Sequence, residues 1–394
     1  MIHIDEKYKD ASPQATVERI YSLLAAQNIN LNEEWCDSGI PDCFSVRVTI
    51  AGTTLGTNGK GVTKELARAS GCAELMERLQ SGFRGAGSLK FPDEAVMTKK
   101  ELLTYSQSAM DQISARISES EHIDFSTEQL LDCFYAFGKS DAVPAIPFFD
   151  AVSGASVYFP VGMIKSVYSS NGLAAGNSTE EAIVQGFSEI VERYCQERIM
   201  RENLVPPTVP DSYLKQFDTA WHIVSSLRDA NYTVLIKDCS LGEGFPVVAS
   251  VLIDRKRHGY RVVFGASPVF EIALERSLTE QLQGHSIENV PMITAFFSAA
   301  RRSSSDFEAA FVSARATYSI DFFNDVPSYP FVPSENNHGA SNKELLRFVM
   351  RYLEKNDRTM LVRDLSHFGF PTFRIIVPGF PPPTCTANAG TRTS

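Results

Sequence analysis

Residues 70–78 read Ser-Gly-Cys-Ala-Glu-Leu-Met-Glu-Arg, and two later stretches repeat the spacing of their polar positions. These are residues 185–193, Gln-Gly-Phe-Ser-Glu-Ile-Val-Glu-Arg, and residues 276–283, Arg-Ser-Leu-Thr-Glu-Gln-Leu-Gln. In each stretch, polar residues stand at positions i, i+4 and i+7. At about 100° per residue, these positions lie within roughly 60° of one another on a helix. The pattern therefore predicts three amphipathic helices, each with one polar stripe.

The side of each predicted helix opposite its polar stripe is apolar. The apolar positions are Leu75, Met76 and Leu79 in the first helix, Phe187, Ile190, Val191 and Tyr194 in the second, and Leu274, Leu278 and Leu282 in the third. Taken alone, each polar stripe is equally well explained as the solvent-exposed face of a core-packed helix. A glutamate at the same register in all three helices favours a common site, because solvent-exposed faces have no reason to repeat it.

Carboxylates dominate the three stripes, at Glu74, Glu77, Glu189, Glu192 and Glu280. If the stripes converge, these groups need a compensating charge, because closely spaced like charges raise carboxyl pKa values and unpaired burial is costly. Carboxylates without histidine or thiolate partners favour Mg²⁺ over zinc, and Mg²⁺ usually binds together with water and substrate phosphate. Neighbouring cations suit phosphate oxygens, with which they form charge-assisted hydrogen bonds. These cations are Arg78, Arg193, Arg276 and Lys60.

A glycine-rich stretch, Gly-Thr-Asn-Gly-Lys-Gly at residues 56–61, precedes the first striped helix and is interpreted as a turn. It does not match a P-loop, because Thr54 and Gly61 stand where that motif needs a glycine and a serine or threonine. Alone, the stretch is more typical of a plain turn than of a phosphate-binding loop. Its place before an acid-striped helix makes Lys60 a candidate ligand of a nucleotide.

The rest of the pattern predicts a mixed α/β chain. Ser12 and Pro13 predict the start of a first helix. Other helices are predicted up to about residue 80 and at about residues 102–117, 178–201 and 342–354, with a third loop and helix at 266–283. Apolar runs predict strands at residues 44–50, 233–236, 246–253, 260–265, 360–364 and 372–377. Residues 144–150 are predicted to be a linker or turn, and residues 169–177 a loop.

Composition limits the class of protein. The chain has 394 residues, 37 of them basic and 47 acidic, and its net charge of −10 argues against a general nucleic-acid binder or a binder of anionic membranes. The length allows two or three domains or one large one. The seven cysteines have no zinc-type spacing and are typical of free intracellular thiols. No signal peptide or membrane span is predicted, so a cytoplasmic location is expected.

The three helical motifs resemble the signatures of the YcaO family. The first signature matches Ser70, Glu74, Glu77 and Arg78, the second matches Asn177, Glu181, Gln185, Glu189, Glu192 and Arg193, and the third matches Arg276, Glu280 and Gln283. The sequences at residues 57–61, 170–172 and 374–379 also resemble segments that flank these signatures in the family. The resemblance covers roughly residues 1–380, which predicts one large YcaO domain with sub-parts at about 1–150 and 151–380. Residues 381–394 are expected to form a polar, disordered tail.

The resemblance implies an α+β nucleotide-binding fold of the YcaO type, in which ATP and Mg²⁺ lie among the three acid-striped helices. It assigns the metal to Glu74, Glu77, Glu189, Glu192 and Glu280. It assigns nucleotide contacts to Ser70, Arg78, Asn177, Glu181, Gln185, Arg193, Arg276 and Gln283, with Lys60 as a further phosphate candidate. Lys9 and Thr16 also align with family positions that reach the phosphates. No catalytic residue is assigned beyond this metal and nucleotide site.

The implied activity is ATP-dependent phosphorylation of the oxygen of a peptide or protein backbone amide, as in the modification of ribosomally made peptides. A nucleophile then attacks the activated carbon, which gives an azoline by cyclodehydration or a thioamide with sulfide. Two alternatives stay open: an ATP-dependent peptidase that uses the same activated amide, and an ATP-binding adaptor for a modifying enzyme. The expected partners are a peptide or protein substrate, a protein for substrate recognition or sulfur delivery, and a second copy in a homodimer.

Some features depart from the family pattern. Ala174 stands where some relatives place a serine near the adenine, and Pro381, Pro382 and Pro383 do not form the proline-rich ending of azoline-forming members. No long C-terminal extension and no winged-helix clamp for a leader peptide is found. These differences favour thioamidation, or another backbone activation assisted by a partner protein, over azoline formation.

Overall fold

The computed structural model describes residues 8–82, 91–138, 141–295, 317–335 and 337–380. The helices are α1 (Pro13–Ala25), α2 (Lys64–Ser81), α3 (Lys99–Glu121), α4 (Thr127–Gly138), α5 (Val161–Met163), α6 (Thr179–Glu202), α7 (Asp211–Leu214), α8 (Asp218–Asp229), α9 (Phe270–Gln281) and α10 (Asn342–Lys355). The strands are β1 (Leu31–Asp37), β2 (Phe44–Ile50), β3 (Gly56–Gly61), β4 (Ala95–Thr98), β5 (Ala142–Asp150), β6 (Ser156–Pro160), β7 (Leu173–Ala175), β8 (Thr233–Asp238), β9 (Val247–Asp254), β10 (Gly259–Ala266), β11 (Leu361–Asp364) and β12 (Thr372–Ile376). A π-helical turn, Ile164–Tyr168, follows α5, and a 3-10 turn covers Ile320–Phe323.

Three antiparallel sheets support the helices. Strands β1, β2 and β3 form one sheet in that order, and β8, β9 and β10 form a second. The largest sheet has the order β4-β5-β11-β12-β7, with β6 paired to β5. This mixed helix and sheet architecture confirms the fold class predicted from the sequence.

Each acid-striped helix follows a strand directly and packs on the sheet of that strand. Helix α2 follows β3, α6 follows β7, and α9 follows β10. Each helix also contacts a strand of another unit: α2 contacts β7, α6 contacts β10, and α9 contacts β3. The three helix-on-sheet units therefore close into a ring, which brings the three helices together.

Local signals explain where two of these helices begin. Thr63 caps α2 by accepting a hydrogen bond from the Leu66 backbone N–H at 3.2 Å, and Ser178 caps α6 by accepting one from Glu181 at 3.1 Å. The third helix, α9, has no side-chain cap. It begins after Val269, whose backbone is extended. The predicted start of α1 is confirmed, since Ser12 is its N-cap and Pro13 its first residue.

The glycine-rich stretch at residues 56–61 is strand β3, so its interpretation as a turn is wrong. It pairs antiparallel with β2, with Gly59 opposite Val46 and Lys60 opposite Ser45. Glycine is unfavourable in most strands, but here α2 lies directly on the strand. A Cβ added to Gly59 would lie 2.8 Å from Gly71 Cα of α2. The glycines therefore permit a close helix-on-strand contact.

Residues 144–150 belong to strand β5, so the predicted linker is wrong too. The strand contains two prolines, which are unusual in strands and hide its pattern of buried and exposed side chains. Val143, Ala145 and Phe148 are buried, whereas Pro144 is exposed. Residues 173–175, predicted as part of a loop, form the short strand β7 that pairs with β12. The sequence pattern assigned no element to β1, β4, β6, α4, α7 or α8. Pairing and packing with distant residues decide all of these segments.

Replacing Gly59 with alanine is expected to destabilise the protein by about 2–3 kcal/mol, because the added methyl group overlaps the backbone of α2. The measurement is the free energy of urea unfolding, followed by circular dichroism. Gly162→Ala is the matched control, since its Cβ would meet nothing closer than Phe134 at 4.0 Å. Equal stability of the two variants would show that the helix and the strand are not tightly packed.

Candidate nucleotide and metal site

A cavity of about 680 Å³ lies between the three acid-striped helices. This volume falls within the range of roughly 300–1,000 Å³ that is typical of small-molecule sites. All of the residues predicted to bind metal or nucleotide line it. They are Lys9, Thr16, Lys60, Ser70, Glu74, Glu77, Arg78, Asn177, Glu181, Gln185, Glu189, Glu192, Arg193, Arg276, Glu280 and Gln283.

The fold brings these side chains together from five separate parts of the chain. Helices α2, α6 and α9 contribute their polar stripes, strand β3 contributes Lys60, and the segment leading into α1 contributes Lys9. Asn177 lies in the short connection from β7 to α6, and Gln283 lies just after α9. The stripes therefore face an enclosed space rather than bulk solvent.

Neighbouring cations contact Glu74, Glu77, Glu189 and Glu280 of the stripes. Arg78 lies 3.2 Å from a carboxylate oxygen of Glu74 and 3.5 Å from one of Glu77. On α6, Arg193 lies 3.8 Å from Glu189. Between α9 and β3, Glu280 pairs with Lys60. The acidic cluster is thus partly neutralised by groups that line the same cavity.

This neutralisation is incomplete at the centre of the cluster. Burial and the negative charge of neighbouring glutamates hold the pKa of Glu77 well above its usual value, although Arg78 opposes the shift. Burial also raises the pKa of Glu189, against the effect of Arg193 and with a further contribution from Glu192. Burial lowers the pKa of Lys60 despite the nearby carboxylates. Such pKa shifts are typical of binding sites, and a bound cation together with an anionic ligand would stabilise the charged forms of these side chains.

A second network ties the N-terminal segment to α6. Lys9 forms an ion pair of 2.9 Å with the buried carboxylate of Glu181, which also accepts a hydrogen bond from the Asp10 backbone N–H at 3.0 Å. Asn177 donates to Glu181 at 3.1 Å and accepts from the Thr16 hydroxyl at 2.9 Å. Of the predicted nucleotide ligands, these four are therefore bound to one another, and the network closes one end of the cavity.

Arg276 is held in place by three different groups. It donates to the Ala266 backbone carbonyl at 2.8 Å and to the side chain of Gln185, and its guanidinium lies 5.4 Å above the Tyr8 ring. Gln283 donates to the Asn58 backbone carbonyl. These contacts fix the orientation of donors that point toward the cavity.

The donor chemistry fits Mg²⁺, although no metal cage is preformed. Among the residues that the structure describes, no three carboxylates, imidazoles or thiolates stand close enough together to hold a metal ion. The carboxylates Glu74, Glu77, Glu189 and Glu280 contact arginine or lysine partners. Their oxygen-only chemistry still matches a hard cation, and small rotations would exchange one positive partner for another.

Sequence reasoning missed several residues at the site. Tyr8, Asn58, Arg261, Glu275 and His285 also line the cavity. Behind it, the nearly buried Arg374 of β12 donates to the Asn171 carbonyl at 2.9 Å and exerts a positive charge on Glu77 and Glu189. Burial lowers its pKa to about 10. An arginine within an otherwise apolar strand is the sequence signal that could have identified Arg261 and Arg374.

Solved structures with the same fold define the class of protein. A heterocyclase in complex with substrate and cofactor superposes with a TM-score of 0.64 at 19% identity, over 95% of this chain and 53% of the other. YcaO from Methanopyrus kandleri, bound with AMPPCP and Mg²⁺, gives 0.59 at 17% identity, over 96% and 94%. The E. coli microcin synthetase McbBCD complex with pro-MccB17 bound contains a chain that gives 0.57 at 12% identity, over 88% of both chains. The fold is thus that of the YcaO and heterocyclase class.

The chain belongs to the YcaO family. The family described as "YcaO cyclodehydratase, ATP- and Mg²⁺-binding" matches residues 58–381. The ribosomal protein S12 methylthiotransferase accessory factor YcaO of Escherichia coli is 28% identical over 94% of this chain and 65% of its own length. An uncharacterised protein of Haemophilus influenzae is 26% identical over the same shares. The resemblance seen in the motifs is confirmed, and ATP and Mg²⁺ are the cofactors of the family, as predicted.

The chain spans less than two thirds of the length of the curated relatives it matches. Among the described residues, no helix is both long and apolar enough to cross a membrane. The predicted domain boundaries remain predictions, and the predicted tail at 381–394 lies outside the described residues.

Proposed function

We propose that this protein binds ATP and Mg²⁺ in the cavity and uses them to activate a backbone amide of a peptide or protein. The observation that carries the proposal is the convergence of carboxylates and cations from three helices on one enclosed space. Membership of a family described as ATP- and Mg²⁺-binding supports it. The M. kandleri relative with AMPPCP and Mg²⁺ supports the same choice of ligands.

The proposed metal ligands are Glu74, Glu77, Glu189, Glu192 and Glu280. The proposed nucleotide ligands are Lys9, Thr16, Lys60, Ser70, Arg78, Asn177, Glu181, Gln185, Arg193, Arg276 and Gln283. When bound, Mg²⁺ supplies positive charge that offsets the charge of the phosphates. Most of these residues position the nucleotide and do not themselves react, as is usual for phosphoryl transfer.

The ion pairs of the cavity support a simple exchange of partners. Lys60, Arg78 and Arg193 each contact a stripe glutamate. If those glutamates bind metal, the three cations can turn toward phosphate oxygens over a short distance. Each charge then keeps a partner in both states, so no buried ion is left uncompensated.

The proposed reaction transfers the γ-phosphoryl group of ATP to the amide oxygen, with ADP as the leaving group. A nucleophile then attacks the amide carbon, and phosphate leaves with the original oxygen. We propose thioamidation as one outcome, with sulfide as the nucleophile. Cyclodehydration to an azoline and ATP-dependent hydrolysis follow from the same intermediate and differ only in the nucleophile.

A peptide or protein substrate and a partner protein for recognition or sulfur delivery are part of this proposal. The McbBCD complex with its bound precursor supports both kinds of partner. A homodimer and a cytoplasmic location remain expectations from the sequence.

We expect the purified protein, incubated with Mg·ATP, sulfide and candidate peptides from its genomic neighbourhood, to change peptide mass. Exchange of one oxygen for sulfur indicates a thioamide, loss of one water an azoline, and cleavage a peptidase. Glu192→Gln should abolish the change, whereas Glu65→Gln, an exposed position on α2, should not. ATP consumption without any peptide product in the presence of the partner would contradict the proposal.

An adaptor role is the second candidate, and the name of the E. coli relative favours it, because that protein is an accessory factor of a methylthiotransferase. An adaptor would bind Mg·ATP in the same cavity and present a conformation to the partner without turnover. The two candidates differ in ATP hydrolysis, so a phosphate-release assay with the partner present separates them.

A further inference from the structure

A second cavity, of about 370 Å³, lies apart from the nucleotide site. The β8–β9 connection, helix α10 and the extended segment at residues 330–335 form its walls. None of the described residues lines both cavities. Phe245 of this cavity packs edge-to-face on Phe187 of α6 at 5.6 Å. The cavity therefore lies behind α6, the helix whose other side presents Glu189 and Glu192 to the nucleotide site.

Five aromatic rings line this second cavity, those of Phe245, Phe270, Phe331, Phe348 and Tyr352. The ring centroid of Phe245 lies 5.4 Å from that of Tyr352 and 5.8 Å from that of Phe348. Phe331, in the segment at residues 330–335, also lines the cavity. Ring faces carry negative charge density, which attracts ammonium and guanidinium groups. The walls thus suit a ligand that combines an apolar stem with a cationic end.

A buried carboxylate, Asp238, is part of the same wall. Its side chain is 5% exposed and accepts a hydrogen bond from the Ser240 backbone N–H at 3.0 Å. No lysine, arginine or histidine of the described segments forms an ion pair with it. Burial raises the pKa of Asp238, although hydrogen bonds with Ser240 oppose the shift. Within the described segments, the ionised form of Asp238 thus has no counter-ion.

The other charges of the cavity are already satisfied or exposed. Glu243 pairs with Arg198 at 2.8 Å and accepts from the Tyr352 hydroxyl at 3.1 Å. Arg351, Lys355 and Glu335 are exposed residues of the lining, so they form its rim. A ligand would therefore pass the exposed side chains of Arg351, Lys355 and Glu335 before it reaches the buried carboxylate of Asp238.

We propose that this cavity binds the lysine or arginine side chain of a peptide, with Asp238 as the counter-ion. The alkyl stem packs against Phe348 and Tyr352, as long basic side chains do on apolar surfaces. The cationic end reaches Asp238, and the rim cations Arg351 and Lys355 meet backbone carbonyls or acidic groups of the same peptide. A charge-assisted hydrogen bond to a buried carboxylate gives such a site its selectivity.

This inference rests on the proposed function only in choosing a peptide as the ligand. If the substrate is a peptide, the cavity would hold a basic residue at a distance from the amide that reacts. Binding here requires neither ATP nor Mg²⁺. Its test is therefore performed without nucleotide, and its outcome is independent of the outcome of the activity assay.

The test compares two peptides, acetyl-Leu-Lys-Leu-amide and its norleucine twin, by NMR titration of the full-length protein. The lysine peptide should bind at least tenfold more tightly, because only it pairs with Asp238. Asp238→Asn keeps the oxygen that accepts from Ser240 but removes the charge, and it should abolish the preference. Asp229→Asn, an exposed position at the end of α8, is the control and should keep it.

Two results would overturn the proposal. One is equal binding of the two peptides to the unmodified protein, which needs no variant and so does not depend on whether Asp238→Asn folds. The other is an unchanged lysine preference in a folded Asp238→Asn variant. Loss of the preference together with unchanged Mg·ATP affinity would support a binding site separate from the nucleotide cavity.

Discussion

Replacing Glu77 with glutamine is expected to weaken Mg·ATP binding by at least a hundredfold while leaving the ligand-free protein as stable as before or more stable. The two effects have opposite signs because the carboxylate is costly in the empty site and needed in the filled one. Burial and neighbouring glutamates raise the pKa of Glu77, so its ionised form is disfavoured by folding. A neutral amide of the same size relieves that cost but makes a poor Mg²⁺ ligand.

Calorimetry with Mg·ATP measures the loss of affinity, and thermal unfolding with and without ligand measures the change in stability. A hundredfold excess over the dissociation constant stabilises a protein by about 2.7 kcal/mol, so the parent protein should gain this amount and the variant almost none. Glu65→Gln, on the exposed side of the same helix, should behave as the parent does. Unchanged affinity in Glu77→Gln would refute the metal assignment.

The same linkage gives a dependence on pH. The folded-state pKa of Glu77 is raised, so the parent carries the full penalty above the folded pKa. The penalty decreases as the pH falls below that value and is absent below the unfolded pKa. The ligand-free Glu77→Gln variant should therefore lose its advantage over the parent as the solution is made more acidic. An advantage that grows toward low pH would contradict the sign of this shift.

Replacing Glu197 with alanine is expected to lower the free energy of unfolding by about 3–5 kcal/mol. Glu197 is 1% exposed and lies between Arg116, at 2.9 Å, and Arg201. Burial raises the pKa of Glu197 against the effect of these arginines, so the pair contributes little beyond an apolar substitute. Removing only the acid, however, leaves buried positive charge with too little compensation.

Urea unfolding of Glu197→Ala should be compared with that of Glu202→Ala. Glu202 lies one turn later on α6 and pairs with Arg198 near the surface, so its loss should cost less than about 1 kcal/mol. Mg·ATP affinity should stay unchanged in both variants, since neither residue lines the cavity. Similar stabilities of the two variants would mean that the buried pair is accessible to solvent.

The sequence predicted the three acid-striped helices well because their signal is local. A helix turns about 100° per residue, so positions such as Glu189 and Gln185 share a face wherever the helix lies. The caps that begin α1 and α6 are local too, at Ser12 and Ser178. The family resemblance then added residues that no periodicity indicates, namely Lys9 and Thr16, which line the same cavity.

The errors fall where structure depends on distant residues. Strand β3 pairs with β2 and lies under α2, and its glycines are explained by that contact rather than by a turn. Strand β5 contains two prolines and is held by β4, β6 and β11 together. Arg374 reaches the acidic cluster from the far side because β12 lies beneath α6. These contacts join residues that are far apart in the sequence, so a short stretch of sequence does not reveal them.

The sequence by itself determined that three helices carry matching acidic stripes, and the net charge of −10 argued against a general nucleic-acid binder or a binder of anionic membranes. The tertiary structure decided that the stripes face one cavity instead of solvent, and which cations contact Glu74, Glu77, Glu189 and Glu280. The reason is physical: side-chain register follows from helical geometry within one segment, whereas convergence depends on how three sheets pack against one another. That packing raises the pKa of Glu77 and leaves a cavity of about 680 Å³ between the three helices.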